Sequence, residues 1–239
     1  MTRLLIDAGN TNIKLVWVTG DHWSPVASVP VNCACELNFA EYGPVQKVWA
    51  SNVAGDEVAQ QIARACAEHG FPLQFIEAKD EQCGVRNGYD LPNQLGSDRW
   101  AALIAAWHHV RSACLVVNSG TATTIDALSD RGEFIGGLIL PGMELMQRSM
   151  TAGTALPELA EGGYAHFPHN TADAIYSGAI QASCGAIQRQ HELLDATVPV
   201  LLGGGAAHLL MPHLALRVEM MDNLVLQGLL IIAKEVGKE

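Results

Sequence analysis

Short apolar runs alternate with longer amphipathic segments along the chain. Residues 3–6 and 13–18 are apolar runs separated by a polar turn that contains Gly9, which predicts a strand hairpin. Residues 56–69 carry apolar side chains at helical spacing, and residues 97–110 repeat that pattern. Strands and helices that alternate in this way are typical of an α/β fold.

The opening pattern returns in the second half of the chain. Residues 114–121 are again an apolar run that ends in a polar glycine turn, and another strand is predicted through Ile125. Gly9 and Gly120 lie close to half the chain length apart, which favours two copies of one α/β unit. We therefore predict two domains, residues 1–112 and 113–239. Further strands are predicted at 45–53, 73–76, 134–140 and 198–202, and further helices from about 142, at 171–194 and at the end of the chain.

Composition and charge narrow the function classes. Of 239 residues, 49% are hydrophobic and 16% charged, which indicates a folded globular protein. The 14 basic residues face 25 acidic ones, so a net charge of −11 opposes binding to nucleic acid. No run reaches the ~18 apolar residues of a membrane span, and the N-terminal run is too short for an export signal. We expect no membrane partner, a cytoplasmic location and free thiols at the six cysteines.

The turn at residues 7–14 has two readings. Its glycine permits close backbone approach, Lys14 supplies a point charge, and Asp7 ends a strand where it could hold a hydrated divalent metal. These features suit a phosphate ligand. Asn and Gly are also common in ordinary hairpin turns, so the segment alone leaves both readings open. The second glycine turn at Gly120 favours a nucleotide clamp formed by two lobes.

Two further segments carry candidate chemistry. A hydrophobic strand opens into Gly203, Gly204 and Gly205. This segment fits a helix N-terminus or a backbone surface laid against a nucleotide, or else a flexible connection. Asp98 and Arg99 begin a helix, for which Ser97 is a potential cap. Asp98 could orient a hydroxyl and accept its proton while Arg99 grips a carboxylate, or the pair could be a helix-dipole aspartate beside a solvated arginine.

Five motifs occur together in a fixed order. They are Asp-Xaa-Gly-Asn-Thr-Xaa-Xaa-Lys at residues 7–14, Tyr89-Xaa-Xaa-Pro92-Xaa-Xaa-Leu95-Gly96-Xaa-Asp98-Arg99, Gly120-Thr121-Ala122-Xaa-Thr124-Xaa-Asp126, Asn170-Thr171 and the triple glycine. With these motifs the chain closely resembles the bacterial type III pantothenate kinases of the actin-like ATPase superfamily. The resemblance spans almost the whole chain, and the joint spacing is more specific than any single motif.

The resemblance implies a fold, a reaction and an assembly. The fold would be α/β, with two ribonuclease-H-like lobes related by internal duplication and a nucleotide cleft between them. The reaction would be ATP-dependent phosphorylation of pantothenate to 4'-phosphopantothenate, the first step of coenzyme A synthesis, with Mg²⁺ accompanying ATP. The partners would be ATP, pantothenate and a second copy of the chain in a homodimer.

The resemblance also implies roles for individual residues. Asp98 would be the proton acceptor, and Asp7 would lie near Mg²⁺, bound through water. ATP would contact Asp7, Ala8, Gly9, Asn10, Thr11, Asn12, Ile13, Lys14, Thr121, Gly203 and Gly204. Pantothenate would contact Tyr89, Gly96, Ser97, Asp98, Arg99 and, across the dimer, Thr171. We expect the dimer interface near the helix that begins at Thr171 and near residues 143–150.

One position departs from the family pattern. Asn118 stands where the family commonly has an aspartate that helps bind a monovalent cation, K⁺ or NH₄⁺. The amide keeps an oxygen acceptor but loses the charge, so we expect weak or absent dependence on potassium. Because a fold does not determine its substrate, two alternatives stay open at this point: a kinase for another small hydroxy acid or sugar, and a non-catalytic ATP-binding regulator.

Overall fold

The computed structural model describes residues 2–39, 43, 45–152, 161–194 and 197–237. Contacts divide the chain into two compact units. The first unit comprises Met1–His109 and Leu224–Glu239, and the second unit comprises Val110–Asn223. No helix of the described residues combines the length and apolar character needed to cross a membrane.

The first unit is built on a mixed sheet. Its strands run in the order β3-β2-β1-β5-β6, with β4 paired to β2. Strands β1 and β2 are antiparallel, whereas β1, β5 and β6 are parallel. The strands are β1 (Thr2–Ala8), β2 (Asn12–Thr19), β3 (His22–Trp23), β4 (Ala27–Pro30), β5 (Lys47–Asn52) and β6 (Leu73–Phe75), and a separate hairpin pairs β7 (Glu81–Gln82) with β8 (Val85–Arg86).

Each face of this sheet is covered by helices. Leu4, Ile6 and Ala8 of β1 share a core cluster with helix α1 (Asp56–Glu68), which buries the apolar face that its spacing predicts. Leu5 and Asp7 alternate with them and therefore lie on the opposite face. Helix α2 (Ser97–Val110) is bonded to that face through its first residue.

The last helix of the chain belongs to the first unit. Helix α6 (Leu224–Val236) packs against β1 and β5, and its Gly228 lies so close to the Ala101 backbone that a Cβ would not fit. The predicted domain boundary near residue 113 lies close to the break at Val110, but it assigned this helix to the second domain. The structure differs there because α6 buries its apolar residues against the first sheet.

The second unit repeats the plan of the first. Its sheet has the order β11-β10-β9-β12-β13, in which β10 is antiparallel to β9, and β9, β12 and β13 are parallel. Strand β9 thus corresponds to β1, and β12 to β5, so the internal duplication predicted from the two glycine turns is confirmed. The strands are β9 (Cys114–Ser119), β10 (Ala122–Leu128), β11 (Phe134–Pro141), β12 (Val200–Gly203) and β13 (Val218–Met220).

Helices α3 (Met143–Ala152) and α4 (Thr171–Leu194) pack on this sheet. Helix α4 spans the range that the sequence predicts, and its buried Ile180 and Ile187 join the core cluster of the second unit. Helix α5 (Ala207–Leu210), which follows the triple glycine, is a single turn. The interpretation of this segment as a helix N-terminus is therefore not supported, and its backbone alone is available to a ligand.

Candidate active site

Asp7 and Lys14 face each other across the first hairpin. They are paired residues of β1 and β2, and the turn between them closes through the Gly9 N–H, which donates to the Asn12 carbonyl at 3.1 Å. Paired residues of adjacent strands project from the same face of a sheet. The hairpin therefore places a carboxylate and an ammonium together beside the turn.

The turn glycines are not required by the backbone. Gly9 and Gly120 do not adopt positive φ. A Cβ on Gly9 would lie 3.5 Å from the Asn12 carbonyl oxygen, and one on Gly120 would lie 3.9 Å from that of Ala122, both ordinary contacts. An unstrained turn has no conformational need for glycine, so the missing Cβ at both equivalent positions favours close approach of a ligand to the main chain.

The first turn of α2 holds the Asp98 carboxylate in place. Asp98 Oδ1 accepts a hydrogen bond from the Arg99 N–H at 2.8 Å. The same oxygen lies only 2.7 Å from the position that a Cβ on Gly96 would occupy, so this glycine makes room for the carboxylate. Ser97 does not cap the helix as expected, because its hydroxyl lies 2.9 Å from the Ser51 hydroxyl.

Arg99 is buried, at 5% exposure, so its interpretation as a solvated residue is wrong. Its Nη1 donates to the Tyr89 hydroxyl at 2.8 Å, and its guanidinium carbon lies 5.7 Å from the centre of the Tyr89 ring. The loop that carries Tyr89 is ordered by Asn87, whose Oδ1 accepts the Tyr89 N–H and whose Nδ2 donates to the Pro92 carbonyl. Tyr89, Asp98 and Arg99 thus form one group in the first unit.

Electrostatics connect this group to the hairpin. Burial raises the pKa of Asp7 to about 7; the Lys14 ammonium opposes the shift, and the nearby Asp98 carboxylate adds to it. Burial also raises the pKa of the Asp98 carboxyl above its usual range, against the Arg99 N–H and guanidinium. Asp7 and Asp98 are carboxylates, and the charge of Asp98 disfavours that of Asp7. Carboxylate oxygens are ligands for a divalent cation, so these residues fit Mg²⁺.

The glycine-rich segment of the second unit packs against Asn118. Gly203 is the register partner of Asn118 in the parallel pair β9–β12. Gly204 has φ +96° and lies directly against the Ser119 carbonyl, and a Cβ there would come within 2.6 Å of Asn118 Oδ1. Both the conformation and the crowding require glycine at this position. The flexible-connection interpretation is therefore wrong for Gly204.

Two predicted contacts in the second unit are exposed. Thr121 lies in the turn after β9, and its carbonyl accepts the Gly142 N–H at 2.9 Å. Thr171 is the first residue of α4, directly after Asn170, whose Oδ1 accepts the Asp173 N–H at 2.9 Å and caps the helix. Their side chains are accessible for contacts with a ligand or a second chain.

The sequence reasoning did not identify two ordering residues of the first unit. Asn87 precedes a glycine, and this pair signals a turn, which was the available clue. Ser51 lies within a predicted strand and carries no such signal, although its hydroxyl is fully buried beside the start of α2.

Comparison with known proteins gives consistent results. The model of the family described as type III pantothenate kinase matches residues 3–192. A protein of Nitrosospira multiformis named type III pantothenate kinase is 45% identical over 241 residues, covering 98% of this chain and 92% of that protein. One of Aromatoleum aromaticum with the same name is 47% identical over 238 residues, covering 97% and 98%.

The chain also resembles solved structures. One is a conserved protein of Campylobacter jejuni described as a Baf family transcriptional activator, with a TM-score of 0.66, 22% identity, and coverage of 99% of this chain and 100% of that one. At this identity the likeness shows the fold alone. Together with the duplicated sheets, it confirms the expected architecture of two ribonuclease-H-like lobes.

Proposed function

The chain belongs to the type III pantothenate kinase family, and from this membership we propose how its own residues perform the family's reaction. The reaction is the ATP-dependent phosphorylation of pantothenate to 4'-phosphopantothenate, the first step of coenzyme A biosynthesis. ATP and pantothenate are therefore its substrates. The assignments that follow concern which side chains bind them and which one moves a proton.

Asp98 is the base that accepts the proton of the pantothenate hydroxyl. The observation that carries this assignment is the fixed carboxylate: the Arg99 N–H holds Asp98 Oδ1, and the absent Cβ of Gly96 leaves it space. As the hydroxyl oxygen bonds to the γ-phosphorus, its proton passes to Asp98 and the bond to the ADP oxygen breaks. Such a transfer depends on positioning more than on basicity, which suits a carboxylate held at a helix start.

Arg99 and Tyr89 bind the acceptor substrate. Pantothenate carries a carboxylate, and a buried guanidinium recognises that group with two parallel donors. The Tyr89 hydroxyl accepts a hydrogen bond from Arg99, and the guanidinium lies over the Tyr89 ring. Both contacts restrain the guanidinium before substrate binds. Burial strengthens the attraction, because the charge is poorly screened by water.

The hairpin from Asp7 to Lys14 binds the phosphates of ATP. Its open backbone at Gly9 and the ammonium of Lys14 supply donors for these phosphates. Asp7 would hold Mg²⁺ through water. When bound, Mg²⁺ supplies positive charge that offsets the phosphate charges of ATP. Proximity to Asp98 supports this role, since a cation relieves the repulsion between the two carboxylates.

Activity depends weakly or not at all on a monovalent cation. Asn118 offers one neutral oxygen, and that side chain packs against the Gly204 backbone. The amide lacks the negative charge that an aspartate would offer to K⁺ or NH₄⁺. Its NH₂ group can instead donate to a phosphate oxygen, which supports activity in the absence of these ions.

The working form is a homodimer in the cytoplasm. Exposed apolar side chains in the second unit support an interface near α3 and α4, among them Leu145 at 48%, Met150 at 43% and Phe167 at 85% exposure. Met143, which the expected interface included, is buried within its own unit. Thr171 would contact pantothenate bound to the partner copy. Six free thiols agree with a reducing compartment.

The test measures ADP release by the purified protein with Mg-ATP. Release should require pantothenate and should not respond to glucose, and Asp98→Asn should lower turnover by about 10² or more while ATP still binds. Release with glucose but not pantothenate would assign a different acceptor. Normal turnover in folded Asp98→Asn would remove the base assignment.

A further inference from the structure

Ser51 lies beside Asp7 on the face of the sheet to which the first residue of α2 is bonded. The two residues are partners in the parallel register of β1 and β5, so their side chains project from the same face. Ser51 is 0% exposed, and its hydroxyl lies 2.9 Å from the hydroxyl of Ser97. The strand that neighbours Asp7 is thus bonded to the residue that precedes Asp98.

The Ser97 hydroxyl makes its contacts with the strand. Besides Ser51, it donates toward the Asn52 carbonyl at 3.5 Å. Ser97 is the first residue of α2, so these contacts hold the helix at the end that carries Asp98. The first turn has a second anchor, because the Trp100 indole is 0% exposed and donates to Gln82 Oε1 at 3.1 Å.

The buried hydroxyl of Ser51 is costly unless it is hydrogen-bonded, because it loses water on burial. The bond to the partly buried Ser97 hydroxyl compensates for that loss. Alanine would fill nearly the same space at Ser51 without needing a partner. A serine there makes a directional hydrogen bond to Ser97. This bond determines where the first turn of α2 lies relative to β5 and, through β5, relative to Asp7.

We propose that the Ser51–Ser97 hydroxyl pair is a positioning device for the reaction, which sets the place of Asp98 relative to Asp7. In this role Ser97 acts through its bond to Ser51, and it does not bind pantothenate. The inference rests on the proposed function of Asp98, and it adds Ser51 as a positioning residue.

Steady-state kinetics on four variants test the pair. Ser51→Ala and Ser97→Ala should each lower kcat by about 5- to 30-fold, because small displacements of a catalytic group cost this much or more. The KM values for pantothenate and ATP should stay within about twofold. The double variant should be no slower than either single variant, since residues of one interacting pair are not additive. Ser97→Thr, which keeps the hydroxyl, should restore most of the rate.

The Asp98→Asn protein distinguishes a positioning role of Ser51 from a general loss of stability. In Asp98→Asn, the Ser51→Ala change should cost no further activity, because its effect passes through the Asp98 carboxylate. Ser183→Ala is the matched control: Ser183 is also 0% exposed but lies in α4 against Met143, so its loss should change Tm without changing kcat. Melting curves of every variant report whether it folds.

Several outcomes would overturn the inference. A raised KM for pantothenate in Ser97→Ala but not in Ser51→Ala would make Ser97 a substrate contact. The pair would be purely structural if kcat were unchanged in Ser51→Ala, or if the two single losses were additive in the double variant. It would also be purely structural if Ser51→Ala lowered kcat as much in the Asp98→Asn protein as in the natural protein. The proposed function fails differently, through a natural protein that does not turn over pantothenate, and in that case the inference falls with it.

Discussion

The carboxylate of Asp98 can be displaced without touching it by placing a methyl group on Gly96. A Cβ at this position would lie 2.7 Å from Asp98 Oδ1, whereas ordinary contacts begin at 3.4 Å, so the oxygen must retreat by about 0.7 Å. The other neighbour of that Cβ, Val53 Cγ1, is at a comfortable 3.8 Å. Gly96 does not adopt positive φ, so the backbone accepts alanine. Gly96→Ala should therefore fold and move Asp98.

The expected loss follows from that displacement. Misplacement of a reacting group by about 1 Å can cost on the order of 10² in rate, so 0.7 Å should lower kcat by roughly 10- to 100-fold. The weakened bond to the Arg99 N–H adds about 1 kcal/mol of lost stability. Pantothenate and ATP should still bind, because Arg99 and the hairpin are unchanged.

The assay is kcat at saturating substrates, with Tm as the folding control. Gly185→Ala is a matched control, since this exposed glycine of α4 has no atom within 4 Å of the added Cβ. It should leave kcat unchanged and stabilise the helix by about 0.5 to 1 kcal/mol. A folded Gly96→Ala variant with natural kcat would refute the assignment of Asp98 as a closely positioned base.

Three further predictions concern the phosphate and cation sites. Gly9→Ala, whose Cβ meets only an ordinary contact at 3.5 Å, should keep Tm but raise the KM for ATP by about tenfold; an unchanged KM would remove the backbone-approach argument. Burial raises the pKa of Asp7 from 3.8 to about 7, so the folded protein holds this proton more tightly, and the stability it contributes is lost as pH rises through 7. In EDTA, the Tm of Asp7→Asn should therefore rise relative to the natural protein between pH 4 and about 7, and parallel Tm curves would contradict this. Asn118→Asp should introduce activation by potassium at matched ionic strength, whereas strong activation of the natural protein would contradict the role given to the amide.

Periodicity predicted the long elements well and missed some of the short ones. Helix α4 and helix α2 match their predicted ranges because each repeats its apolar pattern over several turns. Strands β3 and β4 were not predicted, since two to four residues at a sheet edge carry too little pattern. Helix α6 was predicted as an element, but its unit was not, because that depends on the distant partner Ala101.

The candidate site shows the same division between local and distant information. The adjacency of Asp98 and Arg99 is visible in the sequence, and so is the doubled glycine turn. The burial of Arg99 depends on Tyr89 folding over it, ten residues away. The bond between Ser51 and Ser97 joins residues 46 positions apart, so only the folded chain reveals it.

The return of α6 to the first unit makes the second unit an insertion within the first. During translation, residues 110–223 leave the ribosome before α6 is synthesised, and domains fold as units while the chain emerges. The second unit can therefore complete its core first. The backbone around Ala101 stays uncovered until Gly228 arrives. The core of the unit that carries Asp7 and Asp98 is thus completed only after the second unit has been synthesised, and a nascent chain arrested before Leu224 would present an unfinished first unit.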